Sequence, residues 1–118
     1  AVTVQPAVGN PSGVPSAAIP LSETVMVGAW TPSQYTLTGD APVAVMLGGV
    51  STVNVLQVKV VSGDHTRVRI TSADGNIQAI PVDTVLVLMT RDIGITAIDL
   101  TRDLGVETVV EVFVAEYA

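Results

Sequence analysis

The only imidazole in the chain is His65, and it closes the run Ser62-Gly63-Asp64-His65. A serine, an aspartate and a histidine raise the question of nucleophilic catalysis, in which the imidazole takes the hydroxyl proton and the carboxylate fixes its tautomer. Three residues of one turn cannot converge on a reacting atom, because triad members come from separate elements. His65 therefore reads as a solvated turn histidine. The carboxylates offer a second chemistry. Asp83, Asp92, Asp99, Asp103, Glu107, Glu111 and Glu116 crowd the C-terminal third. A paired general acid and base would need two of them across a cleft, with at least one desolvated. Most stand instead at turns or at alternating strand positions, as in Thr108-Val109-Val110-Glu111-Val112, where they form an outward face. Calcium wants several oxygens in a fixed loop spacing, which no segment here supplies, so no metal site is expected. Gly48-Gly49 lacks the lysine and the helix of a phosphate loop. Trp30, Tyr35, Phe113 and Tyr117 are the only aromatics, too few for a stacking platform, and Trp30 before Thr31-Pro32 reads as a core plug. No catalytic residue, cofactor site or enzymatic activity is expected.

The elements around these residues are strands. From Leu21 onward apolar residues recur with period two in short runs broken by turn residues. Val25, Val27 and Ala29 form one run, Tyr35 and Leu37 a second before Gly39-Asp40, and Val43, Val45 and Leu47 a third before Gly48-Gly49. Val53 to Val61 sets an apolar face (Leu56, Val58, Val60) behind a mixed one. Ser62-Gly63-Asp64 is expected to turn a hairpin into Thr66–Thr71, with Val68 and Ile70 inward and Arg67 and Arg69 outward. Asp74-Gly75-Asn76 is expected to turn the next into Ile77–Ile80, since Asp-Gly suits a tight turn. Strands follow at Thr84–Met89, Ile95–Leu100 and Thr108–Val114. Thr90-Arg91-Asp92-Ile93-Gly94 is echoed by Thr101-Arg102-Asp103-Leu104-Gly105. The echo is expected to be two equivalent turns with local Asp hydrogen bonds and left-handed glycines. About eight or nine short strands without helical periodicity imply an all-β fold, an antiparallel β-sandwich or a small jelly-roll-like barrel.

Residues 1–20 differ from this domain of residues 21–118. They carry no charge and hold Pro6, Pro11, Pro15 and Pro20. Proline at that density excludes helix and removes strand donors, so the segment is expected to be extended and irregular. It reads either as a frayed tail or as an arm lying along a neighbouring subunit. Val2, Val4, Pro6, Val8, Pro11, Val14, Pro15 and Ile19 would make the contacts, because disordered linkers are usually polar rather than valine-rich.

Composition sets the class of function. Of 118 residues, 48% are hydrophobic and 14% charged, against roughly a quarter charged in an average soluble domain. A chain this small buries only about two-thirds of its surface on folding, so the excess apolar surface is expected to meet other protein chains, with homo-oligomerisation as the result. The net charge of −6, with five scattered basic residues, argues against nucleic acid. The absence of cysteine excludes disulfides and thiolate metal sites. No basic region precedes an apolar stretch at the N-terminus, so no secretory signal is expected. The charge-free stretch Ala41–Val58 is broken by Gly48-Gly49 and Asn54, and reads as strands, not a membrane span.

A charge-poor, Thr- and Val-rich β chain ending in Ile95-Thr96-Ala97-Ile98-Asp99-Leu100 and Val109-Val110-Glu111-Val112-Phe113-Val114 resembles the small β-sandwich virion proteins of tailed bacteriophages. These are capsid decoration (cement) proteins and related head or tail accessory proteins. The resemblance spans Ser22 to Ala118. It implies a structural role on the capsid exterior, or alternatively in the tail or a fibre. The major capsid protein and further copies of the chain would be its partners, a trimer the assembly, and no catalytic residue would carry over. A carbohydrate- or ligand-binding β module is the alternative from another class.

Overall fold

The computed structural model describes residues 2–4 and 23–118. Its described residues form ten strands and no helix: β1 (Val2–Val4), β2 (Glu23–Val25), β3 (Val27–Leu37), β4 (Val43–Ala44), β5 (Val55–Ser62), β6 (Thr66–Ser72), β7 (Ile77–Val82), β8 (Val85–Met89), β9 (Ile95–Arg102) and β10 (Thr108–Tyr117). The all-β expectation holds. Two four-stranded antiparallel sheets, β3-β10-β5-β8 and β4-β9-β6-β7, pack as a sandwich, and β1 pairs with β2 separately.

The core follows from period-two alternation. Leu37, Leu56, Val58, Val110, Val112 and Val114 of the first sheet meet Val68, Ile70, Val82, Ile98 and Leu100 of the second, all buried. β-branched and leucine side chains fill the layer between sheets, as suits a pleated surface. Arg67 and Arg69 point outward between buried Thr66, Val68 and Ile70, as the sequence pattern requires.

Connectivity departs from expectation. Of the eight sandwich strands, only β6 and β7 are consecutive in sequence and paired, through Asp74-Gly75-Asn76 with Thr71 opposite Ile77. Ser62-Gly63-Asp64 is not a hairpin turn. β5 pairs with β10 and β8, so these residues carry the chain from one sheet to the other. Gly63 permits the crossing. Its φ is +94°, and a Cβ there would lie 2.4 Å from the Glu107 carbonyl oxygen and 2.7 Å from Thr108 Cα. Entry into β5 is a corner as well. Val53 exchanges backbone hydrogen bonds with Ile95 of the second sheet (2.8 and 2.9 Å) two residues before Val55 joins the first.

Two further readings are corrected. The runs around Ala29 and Tyr35 are one continuous strand, β3, with Pro32 inside it. Proline lacks the ladder donor and is tolerated because β3 lies at a sheet edge, paired with β10 alone. Trp30 therefore stays on the outward register and is 59% exposed, not a core plug. The repeated Thr-Arg-Asp-x-Gly segments are not equivalent turns. Gly105 has φ +68°, whereas Gly94 is buried and not left-handed, and a Cβ on it would lie 1.9 Å from Thr52 Cγ2. Close approach, not a dihedral, demands glycine there. Asp103 receives side chains from a different strand, as described below.

Candidate interaction face and histidine cluster

The outer face of the first sheet is built by register. Three rows cross it: Trp30–Ala115–Val55–Met89, Pro32–Phe113–Gln57–Val87 and Gln34–Glu111–Lys59–Val85. Ala115 and Val55 are fully buried, so the accessible apolar area comes chiefly from Trp30, Pro32, Phe113 and Val85. Trp30 and Phe113 stack with ring centroids 6.5 Å apart and planes 23° from parallel, within the favourable range for aromatic pairs. Beside them a groove of about 510 Å³ is lined by Pro32, Gln34, Gln57, Lys59, Val85 and Phe113 among others. Val85 is 59% exposed. Lys59 and Glu111 stand opposite each other, so the two charges on these rows cancel. Such a face offers apolar area, two rings and no net charge, which is the composition of an interface centre.

The second constellation lies at one end of the other sheet. Thr66 pairs with both Val82 and Arg102. The residues just beyond those positions, His65, Asp83 and Asp103, are therefore brought to neighbouring strand ends, with Asp64 in the crossover. His65 Nδ1 lies 3.1 Å from Asp64 Oδ1, and Nε2 lies 2.9 Å from Asp103 Oδ2. The His65 amide also donates to Asp64 Oδ1 at 2.7 Å, and the Asp64 amide donates to Thr108 Oγ1 at 3.3 Å. Arg67 Nε lies 3.4 Å from Asp103 Oδ1. His65 is thus a half-buried imidazole held by two carboxylates, more confined than a solvated turn residue.

Neither a family-model scan nor a search of curated proteins finds a match to the chain. Its chemistry must therefore be read from the geometry. Of the remaining acidic residues, Asp40, Asp99 and Glu116 are tied to groups distant in sequence. Arg69 pairs with Asp99, its Nε donating at 3.1 Å. Arg102 Nε donates to Asp40 at 3.0 Å, and the Thr52 amide to Glu116 Oε1 at 3.2 Å. Of the residues expected to form a docking arm, Val2 and Val4 lie in β1, opposite Val25 and Glu23. Pro6, Val8, Pro11, Val14, Pro15 and Ile19 lie outside the described residues. No helix among the described residues is long and apolar enough to cross a membrane.

The ion pairs set a pH window. The Asp64 side chain, then the Asp103 charge, raises the His65 pKa above its ordinary 6.5, with the Asp64 charge adding to this and partial burial opposing it. The His65 backbone amide, then its ring, lowers the Asp64 pKa below 3.8. A group with a raised folded-state pKa stabilises fully below its unfolded value, and that contribution is lost as pH rises through the folded one. A carboxylate with a lowered pKa stabilises above its unfolded value and loses this as pH falls. Around His65 stand Asp64, Asp83, Asp103 and the Arg67 guanidinium. The contribution of these pairs to stability in chelator-containing buffer is expected to be fullest between these two values and to fall on the alkaline side above 6.5. His65→Gln should flatten that alkaline limb in denaturant titrations run across pH. An unchanged limb would show that the pairs do not titrate with folding.

Proposed function

We propose that the chain is a structural virion protein of the capsid-decoration type, which assembles with copies of itself through the outer face of the β3-β10-β5-β8 sheet. The observation that carries this reading is the stacked Trp30–Phe113 pair on a sheet face that also exposes Pro32 and Val85. A tryptophan is among the most costly residues to leave in water and among the most frequent interface anchors. The occupant is a second copy because the face is neutral while the chain carries −6. Copies meeting there bury apolar area without setting like charges directly against each other across the contact. A trimer follows from the resemblance to decoration proteins, and the capsid lattice is the further partner. Purified particles should then contain the chain on their exterior at a fixed ratio to the shell protein. Quantitative mass spectrometry of intact particles reads that ratio, and its absence from particles would contradict the proposal.

The same rings beside the Gln34 and Gln57 amides favour one alternative, a carbohydrate-binding module, since aromatic faces stack on sugar rings and amides bond their hydroxyls. Saturable glycan binding that is lost on replacing Trp30 or Phe113 would favour that reading over self-assembly.

A further inference from the structure

We infer that Asp64, His65 and Asp83 form a binding site for a divalent transition-metal ion, with Asp103 holding the imidazole in place. The ligand atoms of the three residues all lie within 4.8 Å of one another. His65 Nδ1 and Asp64 Oδ1, 3.1 Å apart, already have the bite that two metal–ligand bonds of about 2.0–2.2 Å subtend. Asp83 is exposed one residue past the end of β7.

The stronger argument is the proton count. Both ring nitrogens of His65 face carboxylate oxygens, Asp64 on one side and Asp103 on the other. A neutral imidazole has one N–H and one lone pair. One of the two contacts would then set lone pair against lone pair, unless a second proton lies between the atoms or a metal ion bridges both from one side. Nε2–H donates to Asp103 in the arrangement that histidine ligands usually adopt, where a carboxylate fixes the tautomer and leaves the other nitrogen for the metal. Nδ1 is then the ligating atom, beside Asp64 Oδ1.

The donor set chooses the class of ion. Imidazole suits zinc, nickel and copper, whereas magnesium and calcium prefer sites made wholly of oxygen. Three protein ligands leave room for water on a tetrahedral ion. The placement is set by sheet register as well as by the turn, because His65 and Asp83 adjoin the paired residues Thr66 and Val82. An ion there would pin the inter-sheet crossover to the end of β7. With one histidine and no cysteine in the chain, imidazole or thiolate ligation has a single possible location.

Isothermal titration with Zn²⁺ at neutral pH, paired with NMR of the His65 imidazole, tests the site. Saturable one-to-one binding is expected, with the imidazole resonances shifted. Binding should be lost in His65→Gln and in Asp83→Asn, and weakened about 10–100-fold in Asp103→Asn. Circular dichroism of each variant reports folding, and Asp83→Asn carries the test should His65→Gln fail to fold. Three results would overturn the site: no saturable Zn²⁺ binding, which leaves a proton as the cation; binding that survives both substitutions; or Ca²⁺ binding as strong as Zn²⁺ binding.

Discussion

Replacing Trp30 and Phe113 together by threonine is expected to dissociate the assembly while leaving the sandwich folded. Both side chains lie on the outward register, and neither belongs to the hydrophobic core between the sheets. Threonine keeps the β preference of the strands, so the unfolding midpoint should move little. An interface anchor of this kind contributes about 2 kcal/mol or more on truncation, which weakens association about 30-fold or more. Sedimentation velocity at matched concentrations of wild type and variant reads the change directly. An unchanged distribution of species would place the interface elsewhere on the molecule.

The largest effect on stability is expected at Gly63. Alanine there meets two penalties. A positive φ costs an L residue about 1–2 kcal/mol. The added carbon would also press on Glu107 and Thr108 backbone atoms, which belong to the approach to β10 and cannot swing aside as a side chain would. The sum should exceed about 3 kcal/mol, a large share of the roughly 5–15 kcal/mol that separates folded from unfolded domains. Gly75 is the control, with φ +89° and nothing within 4 Å of its would-be Cβ. Gly75→Ala should lose only the dihedral cost. Denaturant unfolding of the two variants side by side distinguishes them, and equal losses would mean that backbone crowding at Gly63 does not govern the crossing.

These two glycines also show how far the sequence could be read. Asp74-Gly75-Asn76 and Ser62-Gly63-Asp64 look alike as turn signals, yet one closes a hairpin and the other changes sheets. Alternation of apolar residues reports which face of a strand is buried, and it assigned Val68, Ile70, Leu56 and Val58 correctly. It carries no information on which strand lies alongside, because pairing depends on residues far apart in the chain. β5 ends beside β10 and β8, dozens of residues downstream. The interaction face was hidden for the same reason. Trp30 and Phe113 stand 83 positions apart and meet only through the β3–β10 register. One local signal was available. Extending the period-two pattern through Pro32 puts Trp30 in phase with Gln34 and Thr36, on the outward side. The histidine cluster had no such signal, since Asp83 and Asp103 reach His65 by way of strand ends on either side of β6.

Self-association through an apolar sheet face is tested most directly by the solution mass of the purified protein. Light scattering coupled to size exclusion at micromolar concentration should give a closed multiple of the single-chain mass, three copies on the resemblance to decoration proteins, stable on dilution within that range. A soluble, monodisperse single chain under the same conditions would contradict it.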